Sequence, residues 1–412
     1  MAGEVALQAT LAYPNAQATN VQQMNYVLIE AKPTGVVAQV QMPLNVALVL
    51  DHSGSMAGEP LRNLKEAVKL ILDKMQPHDI VSIVLFEEQA KVLAPSQPAT
   101  NTASLKAIVD GIQEAGGTQM SGGMSLGLAE VQKNIAPGRV SRMLLFTDGQ
   151  TYGDDARCEV LAQQMGQAGV PIVALGLGLE WNDKLLDAIA RNSGGVADKI
   201  DTPQQIIPVF GKVLQGMQAT VVTNARLVLR LATGITPRQV WRVVPLIAQL
   251  GHQPLSDRDI QVNLGDLEKD QGQSVLAELM LAPRAAGRYR LAQAEVFYDV
   301  PAAGLRDERV RIDVVIEFTQ DPALAQQKDP RLMNLVEKVT AFKLQTMALQ
   351  EAAVDPAGAT RKLRSAATIL LNLGEAELAQ AAEQAAQSVQ AGGPVGDAAT
   401  KKLKYETQKL AQ

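Results

Sequence analysis

Between residues 42 and 217 the apolar positions follow two alternating rhythms. Short unbroken runs give way to stretches where apolar residues recur every three or four positions. Val46–Leu50, Ile80–Phe86, Met143–Phe146 and Pro171–Leu175 are runs of the first kind. They read as strands covered on both faces, where no polar alternation is needed. Leu61, Leu64, Val68, Ile71 and Met75 are spaced as one face of a helix starting near Pro60, a residue suited to a first helical turn. Leu105, Ile108 and Ile112 predict a short helix, and Met124, Leu128, Val131 and Ile135 a longer one. Helices over about 156–168, around Leu185–Ala190 and over Pro203–Met217 complete the segment, with a strand at Val196–Ile200 and a short antiparallel edge at Ala90–Leu93. Strands and helices alternating at this length predict a mostly parallel, doubly wound α/β sheet.

Near Ala219 the rhythm changes to period two. Arg226–Ala232, Val240–Leu246, Asp259–Leu264, Val275–Leu281, Tyr289–Tyr298 and Val310–Phe318 are strand-like, and Gly- or Pro-containing turns part most of them. Such a series without helices predicts a β-sandwich. Val5–Tyr13 and Tyr26–Ala31 flank the turn signal Pro14-Asn15. Two strands cannot bury a core, so residues 1–41 are expected to pair with residues 218–328. The domain at 42–217 would then be inserted in the sandwich. Residues 329–412 read as helical. Leu332, Leu335, Val339, Phe342, Leu344 and Met347 share one face, Asp355-Pro356 starts a second helix that Gly374 ends, and Ala376–Val389 forms a third. Gly392-Gly393-Pro394 breaks the chain before a last helix reaching Leu410. An all-α region follows, as a small bundle or a helical-hairpin pair, whose apolar faces are expected to dock onto the other domains or to support self-association.

Composition narrows the function classes. The 412 residues are 47% hydrophobic and 20% charged, with a net charge of -5. These values fit a globular protein and give no footprint for nucleic acid. No stretch approaches the roughly 20 apolar residues of a membrane span. Met1-Ala2-Gly3-Glu4 lacks the basic-then-apolar plan of a secretory leader. The single cysteine, Cys158, forbids an internal disulfide and reads as a packing residue on a helix. A cytoplasmic location is expected from these features together.

The chemistry lies where the buried strands end. Asp51, Ser53 and Ser55 alternate on the loop leaving Val46–Leu50, and ligands of open α/β sheets bind at the carboxyl ends of strands. One carboxylate and two hydroxyls suit a hard cation such as Mg²⁺; the same residue types also cap helices. Asp148 follows the strand Met143–Phe146 on the same sheet edge. Thr118 follows Gly116-Gly117, a turn that lets the backbone approach closely.

These segments resemble the von Willebrand factor type A family, whose metal-ion-dependent adhesion site uses D-x-S-x-S, a distant Thr and a distant Asp. Asp51, Ser53, Ser55, Thr118 and Asp148 occupy all of those positions. The neighbouring Gly58, Pro60-Leu61, Gly116-Gly117 and Phe146-Thr147-Asp148-Gly149 match as well, and the likeness covers about 42–217. It implies a Rossmann-like fold and a bound Mg²⁺, with Mn²⁺ or Ca²⁺ as substitutes. Ser53, Ser55 and Thr118 would coordinate directly, and Asp51 and Asp148 mostly through water. Neutral hydroxyls leave such a cation short of compensating charge, and octahedral geometry keeps a position open. A Glu or Asp of a protein partner would supply both. The expected function is a non-enzymatic, metal-dependent binding module. The alternative is a partner subunit of a separate AAA+ ATPase, as in chelatase-like remodelling systems.

Other motifs read blandly. Gly123-Met124-Ser125-Leu126-Gly127 fits G-x-S-x-G, yet it follows a helix start instead of a strand. Asp51-His52-Ser53 are consecutive and cannot adopt triad geometry, so His52 is expected to face solvent. His78 and His252 lie in polar turns and give no zinc spacing. Trp181 and Trp241 read as packing residues, and Arg306-Asp307-Glu308-Arg309 as a solvated turn.

Overall fold

The computed structural model describes residues 3–35, 37, 42–178, 181–392 and 398–411, with the backbone alone at 398–402. Three strands open the chain: β1 (Val5–Leu11), β2 (Asn15–Gln17) and β3 (Gln23–Pro33). The Pro14-Asn15 step is thus followed at once by a short strand. Then come β4 (Leu44–Asp51), α1 (Glu59–Lys74), β5 (Ile80–Phe86), β6 (Ala90–Pro98), α2 (Thr102–Asp110), α3 (Met120–Gln132) and β7 (Val140–Thr147). α4 (Asp155–Gln167), β8 (Ile172–Leu177), α5 (Asp183–Ser193), β9 (Val196–Ile200) and α6 (Ile206–Ala219) complete the alternation. Their strands form one sheet of order β6-β5-β4-β7-β8-β9. Within it β6 alone runs antiparallel.

β4 lies inside the sheet because all eight of its residues are buried, so both its faces need cover. Leu44, Val46, Leu48 and Leu50 share a cluster with Leu64 and Val68 of α1 and Phe210 of α6. Each such side chain contributes about 1.5–3 kcal/mol when fully buried. On the other face α3 packs very closely. A Cβ on Gly127 would lie 2.5 Å from both Val49 Cγ2 and Met143 Cε, and one on Gly123 2.8 Å from Phe86 Cδ1. The two glycines of the G-x-S-x-G run therefore serve helix-to-sheet contact, and Ser125 sits within α3. From β4 the chain steps to β5 and β6 on one side, then returns to β7 on the other. The loops leaving β4 and β7 diverge at that point, which opens a crevice at the carboxyl ends of both strands.

The later strands are β10 (Thr220–Leu231), β11 (Ile235–Val244), β12 (Ala248–Gln249), β13 (Gln253–Pro254), β14 (Asp259–Glu268), β15 (Gln273–Leu281), β16 (Gly287–Val300) and β17 (Leu305–Thr319). They build two sheets, β1-β3-β15-β11-β12 and β13-β14-β10-β16-β17-β2. β3 pairs antiparallel with β15 over Gln23–Ala31, and β2 pairs parallel with β17 at Glu317–Thr319. The N-terminal strands thereby find the later partners they need. Arg306-Asp307-Glu308-Arg309 is not a turn: it belongs to β17. Asp307 has φ 52°, a left-handed break that Asp tolerates, and a charged run is compatible with a strand near a sheet edge.

α7 (Pro322–Ala325), α8 (Pro330–Glu351), α9 (Pro356–Asn372), α10 (Ala376–Gln390) and α11 (Ala398–Gln408) end the chain. Asp321, Asp329 and Asp355 cap α7, α8 and α9 by accepting from the backbone N–H of Ala323, Leu332 and Gly358. Ala348, Leu363, Leu370, Ala382 and Ala386 form their shared core. Gly393 and Pro394 lie outside the described residues. The chain divides into two compact units: Val37–Asn224 with Asp299–Arg306, and Met1–Val36 with Ala225–Tyr298 and Asp307–Gln412. Among the described residues no helix is long and apolar enough to cross a membrane.

Candidate metal centre

Asp51 is the last residue of β4 and is 0% exposed. Its Oδ1 accepts from the Ser53 backbone N–H at 2.8 Å, and its Oδ2 from the Thr147 hydroxyl at 2.6 Å. Those bonds turn the chain back on itself, and a 3₁₀ turn over Gly54–Met56 follows, anchored by the buried Met56. Ser53 Oγ lies 3.1 Å from Ser55 Oγ, which donates to Asp148 Oδ1 at 2.8 Å. Four of the five sequence-predicted residues are thus joined by hydrogen bonds across the crevice between β4 and β7.

Thr118 arrives from a third segment. The Gly54 N–H donates to Gly116 O at 3.1 Å, the Ala115 N–H to His52 O at 2.9 Å and the Gln119 N–H to Glu87 O at 2.6 Å. These bonds fasten residues 115–119 alongside the Asp51–Ser55 loop and the end of β5. Thr118 Oγ1 lies 3.7 Å from where a Cβ on Gly149 would sit. Thr118 O in turn accepts from the Tyr152 N–H at 3.2 Å. All five residues therefore come from three loops at one edge of the sheet, with Thr118 on the side next to Gly149.

The electrostatics of the site are those of crowded anions. Burial pushes the Asp51 carboxyl above its ordinary value, against the opposing hydrogen bonds from Ser53 and Thr147. Burial, with the Asp51 charge adding to it, raises Asp148 to about 6 although Ser55 donates to it. Among the described residues no cationic side chain offsets either carboxylate. Nor do three His, Cys, Asp or Glu side chains gather anywhere as a metal cluster among those residues. A cation bound here needs the hydroxyls.

His52 does not face solvent. It is 1% exposed, its Nδ1 lies 2.9 Å from Gln113 O, and its buried Nε2 has no hydrogen-bond partner among the described residues. Burial lowers its pKa, so the neutral ring donates from Nδ1 to that carbonyl. The reason is the alternation itself. When Asp51 and Ser53 turn toward the site, the residue between them turns the opposite way, into the protein. Thr147 matches the family pattern in sequence, but its bond to Asp51 is visible only in the structure. A polar residue ending an otherwise apolar strand was the available signal. Further out, the Thr151 hydroxyl is bonded to Asp154, which accepts from the Ser121 N–H at 2.7 Å and so ties the start of α3 to the loop after β7.

Residues 45–207 match the family described as von Willebrand factor type A domain, and residues 330–412 match the Sll0103-like, C-terminal alpha-helical domain. The protein sll0103 of Synechocystis sp. is 31% identical over 308 residues, 72% of each chain. The chain belongs to the von Willebrand factor type A family. Its type A domain, as matched, contains all five predicted site residues. A solved structure, von Willebrand factor type A from Catenulispora acidiphila, has a TM-score of 0.81 at 18% identity over 98% of this chain and 96% of that one, a likeness of fold. Inter-alpha-trypsin inhibitor heavy chain H4 of Homo sapiens is 28% identical over 170 residues. That match spans 39% of this chain and 18% of the human protein.

Proposed function

We propose that this type A protein is a metal-dependent binding module that captures an acidic side chain of a partner protein. What supports the reading is the pair of carboxylates, Asp51 and Asp148, tied to hydroxyls with no cationic side chain beside them among the described residues. A divalent ion is the missing charge, and hydroxyl and carboxylate oxygens suit Mg²⁺ first, then Mn²⁺ or Ca²⁺. Ser53, Ser55 and Thr118 would hold the ion, with Asp51 and Asp148 polarising the hydroxyls and the bound water. Once bound, the ion supplies a position for a carboxylate oxygen from outside. The chain's own part is to keep the donors in place. Thr147 and the Ser53 N–H hold Asp51, and the carbonyls of His52 and Gly116 bind the Ser53 loop to the Thr118 loop.

Binding rather than catalysis is the better account of these groups. The ring of His52 is hidden from the crevice, Ser125 is inside a helix, and Cys158 is a buried thiol whose pKa burial pushes up. Hydrolysis at a metal needs a positioned base or a second ion. The helical tail is read as a second interface for self-association, and the cytoplasm as the working compartment, in keeping with one buried free cysteine. The test is Mg²⁺ titration of wild type and Asp51→Ala, followed by partner pull-down with and without EDTA. Equal Mg²⁺ affinity in both proteins would remove the metal. Partner retention that EDTA does not change would remove its role in capture.

A further inference from the structure

β1 and β17 leave two open sheet edges in the same unit. Among the described strands β1 ends its sheet, and β2 alone lies beyond β17, covering Glu317–Thr319. Over residues 305–316 no described strand continues the sheet past β17. The hydrogen bonds show which backbone groups point outward. In β1 the ladder bonds at both ends run inward: Glu4 O accepts from the Thr34 N–H and the Ala12 N–H donates to Tyr26 O. Antiparallel pairing alternates, so Val5, Leu7, Ala9 and Leu11 turn their N–H and C=O away from β3. In β17 the Glu317 N–H donates outward to Pro14 O, and Thr319 O accepts from the Ala18 N–H. The same alternation turns Val315, Asp313 and Arg311 outward.

These two rows meet at one groove. A cavity of about 780 Å³ is lined by Ala9 and Leu11 of β1, Asp313 and Val315 of β17, and the charged Arg288 and Lys328. The acids around it are already engaged. Asp313 accepts from Gln293 at 3.0 Å and pairs with Arg290 at 3.4 Å, while another lining residue, Asp329, caps α8. Arg288, Lys328 and the neighbouring Arg311 have no carboxylate partner among the described residues. The groove thus presents backbone donors and acceptors turned away from their own sheets, together with positive charge that has no carboxylate partner among the described residues.

We propose that this groove receives an extended, acidic segment of a partner protein, which adds as a strand to the open edge of β17. Backbone bonds would set its direction and register, and acidic side chains at alternate positions would face Arg288, Arg311 and Lys328. A second copy of this chain is the poorer occupant, because its β17 would bring the same unmet arginine into the groove. This site is separate from the metal centre, so the assay is run in EDTA. The probe is a fluorescent eight-residue peptide of alternating valine and glutamate, beside a valine–lysine peptide, titrated with the full-length protein by anisotropy.

The glutamate peptide is expected to bind about tenfold or more tightly than the lysine peptide. Arg288→Glu with Arg311→Glu should reverse that preference. Val315→Pro removes an outward N–H at an edge position where proline is tolerated, and should weaken the glutamate peptide by about tenfold while thermal unfolding confirms the fold. No binding of the glutamate peptide, equal binding of both peptides, or an unchanged affinity in folded Val315→Pro overturns the proposal. A wild-type dimer in light scattering that Val315→Pro dissociates would give the groove to a second copy and overturn it too.

Discussion

Thr147→Val is the sharpest probe of the proposed metal site, because it leaves all five candidate site residues in place. The Thr147 hydroxyl donates to Asp51 Oδ2 at 2.6 Å in a fully buried setting. Valine keeps the shape and replaces the hydroxyl with a methyl. The buried carboxylate then loses one of the bonds that aim it, at a cost of about 1.5–3 kcal/mol to folding. Residues that orient a metal ligand typically cost about 10–100-fold in metal affinity. Linkage converts that into a measurable difference. At a Mg²⁺ concentration about 100 times the wild-type Kd, binding stabilises wild type by about 2.7 kcal/mol. A variant weakened about 100-fold would gain only about 0.4 kcal/mol under the same conditions, and one weakened about tenfold about 1.4 kcal/mol. Urea unfolding with and without Mg²⁺ reads this increment, and calorimetric titration reads the affinity directly. A variant that loses stability but keeps the full Mg²⁺ increment would refute the claim that Thr147 positions Asp51 for the ion.

The remaining predictions concern pH, packing and reactivity. Asp148 sits at about 6 in the metal-free fold against an ordinary 3.8, so between those values the folded chain holds a proton that the unfolded chain releases. Its contribution to metal-free stability therefore falls as pH rises through that window, and Mg²⁺ must displace the proton wherever the pH lies below about 6. Wild type should show a larger Mg²⁺-induced shift in Tm at about pH 7.5 than at about pH 5, a difference absent from Asp148→Asn. Gly127→Val should destabilise by about 1–3 kcal/mol in urea unfolding or fail to fold, since even its Cβ would lie 2.5 Å from Val49 and Met143. An unchanged midpoint would deny the close approach of α3. Cys158 is buried with its thiol pKa pushed up by burial. It should resist thiol reagents in the native protein and react fully in urea, and rapid native labelling would contradict that burial.

Much of this was legible because local signals and tertiary needs agree. An apolar run with no polar alternation marked β4, and the structure buries every residue of it. Ile80–Phe86 and Val196–Ile200 begin and end where the pattern changes. The five candidate site residues were visible because D-x-S-x-S, Gly-Gly-Thr and Thr-Asp-Gly each follow a recognisable element end. The misses have one cause: each depends on a partner far away in the chain. Thr147 matters through Asp51, 96 positions earlier. His52 is buried because residues 113–115 fold over it. β17 absorbs a charged run that locally resembles a turn, and β2 exists only because β17 lies beside it. No window of neighbouring residues contains that information.

The hydrogen bond from Ser55 to Asp148 has one more consequence. The sole hydroxyl proton of Ser55 is committed to an anion, so its oxygen keeps its lone pairs and is made more electron-rich. An arriving ion can use those lone pairs without expelling the proton. Thiolate and imidazole sites differ, since they must deprotonate to bind metal. Near neutral pH the heat of Mg²⁺ uptake should then be the same in phosphate-free buffers of high and low ionisation enthalpy. Well above pH 6, where Asp148 is already ionised, the proposed metal binding would run without release of the Ser55 proton.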